Sequence, residues 1–205
     1  MTRLEQLISR GRSPLGPPVS VDLGAGLYGE LATLLAHTNG FTVFNAGVQL
    51  FHLGERGLGP ELRNWNADQT WRHAYGSLTD GLFFFAQDLF GVQFAIEDNS
   101  RVCTFDPETG EREVFGGSLE DWADWLLADP DERGAYSFAT HWQDTHGALD
   151  HDQRLLPRTL FVLGGSYDDD NLVAEDAVTC MLVRGPIASQ IHDLPDGATI
   201  RFDAG

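Results

Sequence analysis

The chain contains no lysine. All 13 of its basic residues are arginine, set against 31 acidic residues, for a net charge of −18 over 205 residues. A protein that grips nucleic acid neutralises phosphates with a basic face, and this composition supplies none, so nucleic acid is excluded as a partner. The missing lysine also excludes a phosphate-binding P-loop, which needs one beside its glycines. Apolar runs are short. None comes near the roughly 18–20 residues that a membrane-spanning helix needs, so no membrane role is expected. Met1–Arg12 has Leu4, Leu7 and Ile8 at helical spacing but neither an apolar core nor a small-residue cleavage site, and does not read as a signal peptide. Only two cysteines occur, Cys103 and Cys180, far apart and without a C-x-x-C, which points to free thiols in a cytoplasmic protein.

The chain does have aromatics and acids. Hydrophobic residues make up 42% and aromatics 11%, enough for a folded core. The most regular stretch runs from Leu82 to Leu127. Phe83, Phe84 and Phe85 form an apolar run that Gly91 closes. Val92, Phe94 and Ile96 alternate with Gln93, Ala95 and Glu97, the period of a half-buried strand. Asp98-Asn99 precedes Val102–Phe105, and Asp106-Pro107-Glu108-Thr109-Gly110 has the composition of a hairpin turn. Ser118 with Asp121 opens a helix that places Leu119, Trp122, Trp125 and Leu126 on one face.

Upstream, a short helix and a Pro/Gly-rich linker (11–18) lead to a helix over 27–38, stopped by Asn39-Gly40. A hairpin follows across Asn45-Ala46-Gly47, then a helix over 67–74 carrying Trp71. Downstream of a breaker-rich boundary at 129–134 the pattern predicts a helix over 135–146 and a strand over 160–163. An acidic loop, Asp168–Asn171, follows. Beyond it lie an apolar segment around 177–183, a short helix entered at Pro186, a turn over 194–197 and a last strand over 198–202. The expected fold is α+β: a mostly antiparallel sheet of about five or six strands, covered by helices on one face, with a small C-terminal α/β lobe. The expected divisions are 1–24, 25–134 and 135–205.

The order of an apolar strand, a Gly, the FAI strand, the FDPETGE hairpin and an S-x-x-D-W helix resembles the SUKH superfamily, the Smi/Knr-like immunity proteins of bacterial polymorphic toxin systems. LYGELATLLAHTNGF, residues 27–41, is similar to that family's opening helix, with Leu27-Tyr28 where the family often carries Leu-Pro. The resemblance covers roughly 25–130. It implies a non-catalytic cytoplasmic immunity protein that needs no cofactor and neutralises one cognate, basic toxin, a nuclease being one candidate.

Acidity itself favours a basic partner, whose encounter an acidic face accelerates. The residues expected to meet it are Glu120, Asp121, Asp124, Asp129, Asp131 and Glu132 around the Trp helix, Asp168, Asp169 and Asp170 in the later loop, and Trp65 as an exposed aromatic anchor. The competing reading of the acids is a solvated helix face that favours the helix dipole. Two other functions suit the residues. One is a regulatory or scaffold protein of the same fold. The other is a metal-dependent hydrolase built on His146 and His151 with Asp144, Asp150 and Asp152, although no H-E-x-x-H accompanies them and no metal is expected. The tract Asp168-Asp169-Asp170-Asn171 lacks the spacing and the terminal glutamate of a calcium loop.

Overall fold

The computed structural model describes residues 1–195. Six antiparallel strands follow one another in sequence order across one sheet: β1 (Phe41–Val43), β2 (Val48–Leu50), β3 (Leu82–Asp88), β4 (Gln93–Glu97), β5 (Arg101–Phe105) and β6 (Arg112–Gly116). A second sheet pairs β7 (Gln153–Pro157) with β8 (Leu172–Asp176), and the fold is α+β. Three early helices are α1 (Arg3–Ser9), α2 (Leu27–His37) and α3 (Leu62–Trp65). Four later ones are α4 (Leu119–Ala128), α5 (Pro130–Gly134), α6 (Tyr136–His146) and α7 (Ala177–Ile191). Among the described residues no helix is long and apolar enough to cross a membrane.

The turns carry the chemistry expected of them. Asp98 and Asn99 both have positive φ (48° and 52°), the left-handed pair of a tight hairpin that asparagine and aspartate tolerate. Asn99 then does a second job. Its Oδ1 accepts the Tyr28 N–H at 3.0 Å and its Nδ2 donates to the Ala25 carbonyl at 3.0 Å, which fixes the entry to α2. In the β5–β6 turn, Asp106 Oδ1 accepts the N–H groups of Glu108 and Thr109 at 2.7 and 3.1 Å.

The predicted Trp helix is α4. Ser118 caps it by accepting the Asp121 N–H, and Leu119, Trp122 and Leu126 are fully buried. Trp122 meets Phe85 edge-on at 5.1 Å and Phe94 at 5.8 Å, which anchors the helix to one face of the sheet. Contrary to the expectation, the other face is covered too. Trp65, Trp71 and Tyr75 form a chain of rings, with Trp71 on Phe84 at 5.0 Å and Tyr75 on Phe105 at 5.4 Å. All five residues of β4 are therefore buried, and the strand is not half-exposed.

The C-terminal segment lies against the sheet through a polar strip. Gln49, Gln87 and Gln93 stand side by side on β2, β3 and β4. Gln87 Nε2 donates to Gln49 Oε1 at 3.0 Å, and Trp65 Nε1 donates to Gln93 Oε1 at 2.9 Å. From the lobe, Arg154 donates to Gln49 Oε1, and the His151 carbonyl accepts from Gln49 Nε2 at 2.8 Å. All three glutamines, Arg154 and Arg184 are 0–1% exposed, so the seam is dry.

Four local expectations change. The helix over 67–74 is replaced by α3 and two 3₁₀ turns at Arg72–Ala74 and Gly76–Thr79. Asn66 is the cause: its side chain bonds the backbone N–H and C=O of Phe84 at 2.8 and 2.7 Å and holds the segment beside β3. Residues 160–163 form a 3₁₀ turn, not a strand, because the partner of β8 is β7, which the sequence pattern missed. Segment 177–183 and the helix at Pro186 are one helix, α7, with the proline inside it. Strand 198–202 and the last two residues of the turn over 194–197 lie outside the described residues.

Candidate functional site

A cleft of about 730 Å³ opens at the end of the large sheet where β3, β4 and the β5–β6 turn meet α5, α6 and the 158–167 loop. Five carboxylic acids line it: Asp88, Asp106, Glu108, Asp131 and Glu132. No arginine does. Between the acids stand Phe90, Phe138, Phe161 and Tyr167. Phe161 and Tyr167 stack with ring centres 3.7 Å apart and planes 8° apart. Phe90 meets Phe138, Phe161 and Tyr167 edge-on at 5.3, 5.8 and 5.4 Å.

Each acid is held by backbone at its own turn. Asp88 ends β3, and its Oδ1 accepts the N–H groups of Phe90 and Val92 at 2.9 and 2.8 Å. Burial is the largest influence on it and pushes its pKa up to about 7, against the two amides and the more distant charges of Arg154 and Arg184. Glu108 is 4% exposed. Its Oε2 accepts the Val162 N–H at 2.9 Å, while Oε1 has no hydrogen-bond partner. Behind Glu108 lies Arg184, its Nε 3.6 Å from Oε1, and burial raises the Glu108 pKa more than the neighbouring Val162 amide and Arg184 lower it. Gly91 lets the guanidinium in: a Cβ there would lie 3.0 Å from Arg184 Nη1, and its φ of +83° suits glycine. A carboxyl that titrates near neutrality inside a cleft can exchange protons as well as attract cations.

No protein-family model and no curated protein matches the chain. One solved structure does share its fold. The crystal structure of Atu4351 from Agrobacterium tumefaciens aligns with a TM-score of 0.55 at 11% identity, covering 89% of this chain and 88% of that one.

The structure brings only two of the expected partner-binding residues into this cleft, Asp131 and Glu132. Most of the others have structural partners. Glu120 accepts the N–H groups of Arg3 and Leu4 and so caps α1, while Asp124 pairs with Arg3 at 2.8 Å. Asp121 takes the Gly117 N–H at 2.9 Å, and this interaction holds its pKa below the usual range. That bond also occupies an amide that an anion would have needed. Asp129 caps α5, and Asp131 accepts from both the N–H and the hydroxyl of Ser137 at the start of α6. Asp168 accepts from Ser166 and Asn171, Asp169 sits 3.3 Å from His141 and 3.9 Å from His146, and Asp170 is exposed. Trp65 is a correction. It is 2% exposed, packed on Phe51 and Trp71, and presents nothing to a partner.

The histidine region looks structural. His146 stacks on Trp142 at 4.6 Å and its Nδ1 faces the Trp142 carbonyl, and among the described residues no group of three or more His, Cys, Asp or Glu side chains is placed to hold a metal. Glu97 is buried and paired with Arg101 and Arg112, both at 2.8 Å. Sequence reasoning missed Asp88, Phe90, Asp106, Glu108, Phe138, Phe161 and Tyr167 as a group. Their only sequence signal is the acid-rich FDPETG turn, whose acids serve equally well as turn formers.

Proposed function

We propose that this chain is a non-catalytic binding protein of the SUKH immunity type that neutralises one cognate basic toxin by occluding its functional surface. The observation that carries the reading is the cleft, with five carboxylates, four aromatic rings and no arginine in its lining. Such a surface suits a cationic, partly apolar protein segment. Aromatic walls supply contact area at low entropic cost, and the acids supply steering and specificity. The resemblance of the β3–α4 segment to SUKH proteins supports the same reading. A metal-dependent hydrolase has no comparable support, given how His141, His146 and Asp169 are arranged.

The test is neutralisation. The product of the gene beside this one should be basic, toxic when expressed alone, and harmless when co-expressed with this chain, and the two should co-purify. A neighbour whose toxicity is unchanged by this protein, with no complex formed at micromolar concentrations, would sink the reading.

A further inference from the structure

We propose that the cleft is a socket for one arginine side chain, presented on an extended loop of a protein partner. The identity of the partner rests on the function proposed above, while the socket stands on geometry.

The first observation is electrical. In four of the five acids one oxygen is already engaged by backbone: Asp88 by Phe90 and Val92, Asp106 by Glu108 and Thr109, Glu108 by Val162, and Asp131 by Ser137. Those amides fix the carboxyl groups and leave the second oxygen of each free of any hydrogen bond among the described residues. Glu132 adds an exposed carboxylate. Arg184, beneath Glu108, offsets part of this charge, yet its Nε is too far from Oε1 for a hydrogen bond and Nη1 has no partner either.

The second observation is Glu108 Oε1 itself. A carboxylate oxygen buried at a cavity wall without a donor is costly, and a ligand that brings an N–H removes that cost. The third is the flat aromatic surface. A guanidinium stacks on such rings and offers five N–H groups in one plane, which can reach two carboxylates at once. An ammonium is compact and strongly hydrated, and exploits neither feature as well. The volume exceeds what a lone side chain needs, and the rim carries exposed Val162, Leu163 and Tyr167. An arginine flanked by apolar loop residues fits both.

The experiment titrates the full chain with the peptide Ac-Leu-Arg-Leu-NH2 and its lysine and citrulline counterparts, followed by amide NMR shifts and calorimetry. The arginine peptide should bind, the lysine form about tenfold more weakly, and the uncharged citrulline form not measurably. Glu108→Gln keeps the acceptor for Val162 but removes the charge, and should weaken the arginine peptide about tenfold while leaving the far-UV and near-UV spectra unchanged. Tyr167→Ala, at an exposed rim position, should weaken it without touching the core. Equal binding of the arginine and citrulline peptides overturns the socket. So does N-acetylarginine amide binding as tightly as the peptide, because the site would then serve a small free cation. Capture of the neighbouring gene's product equally well by wild type and Glu108→Gln overturns the socket and leaves the proposed function standing. Arginine-selective peptide binding without capture of that protein does the reverse.

Discussion

At Asp88 the fold holds a carboxyl group with a pKa of about 7, well above its value in an unfolded chain. The folded state therefore keeps a proton that the unfolded state has lost, so stability falls as pH rises from about 4 to about 7 and levels off above. The groups facing the carboxyl are the Phe90 and Val92 amides and, from the lobe, Arg154 and Arg184. Asp88→Asn keeps the acceptor and removes the titration. Chemical denaturation at pH 5 and pH 8 should show the variant losing less stability than wild type over that interval, and identical pH profiles would contradict the assignment. Cys103 and Cys180 are the second residue-scale case. Both are free, 0–1% exposed, and have thiol pKa values raised to about 11 by burial. A thiol reagent at pH 8 should find neither in the native protein and both after denaturation; rapid reaction of the folded chain would show a looser interior.

Among the elements, α4 gives the sharpest energetic expectation. Trp122 is fully buried between Phe85 and Phe94, so Trp122→Ala should cost about 3–5 kcal/mol. Its indole N–H has no partner, and Trp122→Phe should accordingly cost much less than the alanine variant. Equal losses from the two would mean that ring packing does not hold this helix. The α4 helix was legible in the sequence because it has a cap and a strong apolar stripe, and the β3–β6 hairpins were legible because their turns use position-specific residues. The strand β7 was not. Gln153–Pro157 alternates weakly and is defined by pairing with β8 about twenty residues later, information that no local window contains. Asn66 overrode a helical pattern through two bonds to Phe84 for the same reason. The cleft was illegible because its lining comes from six separate segments, each with an ordinary local role.

For the molecule as a whole, the charge of −18 acts over distance. Association with a basic partner should be steered, fast at low salt and slower as the Debye length shortens from about 30 Å at 0.01 M to about 8 Å at 0.15 M. The cleft divides the expected acidic residues into two sets. Glu132, on the cleft wall, is free of any hydrogen bond in the fold, whereas Glu120 and Asp121 cap helix ends. Stopped-flow measurement should therefore find that Glu132→Gln raises the dissociation rate as well as slowing association. Asp124→Asn, on the exposed face of α4, should alter only association. A complex indifferent to salt and to both variants would confine the acidity to a solubility role.

The glutamine strip has an evolutionary consequence. Gln49, Gln87 and Gln93 are useful only while Arg154 and the His151 carbonyl lie over them, so the lobe cannot be lost or swapped as a module without leaving unsatisfied amides on a bared sheet face. Relatives that end near residue 134 should have replaced all three glutamines together. Those that keep the lobe should vary the three positions in concert with Arg154.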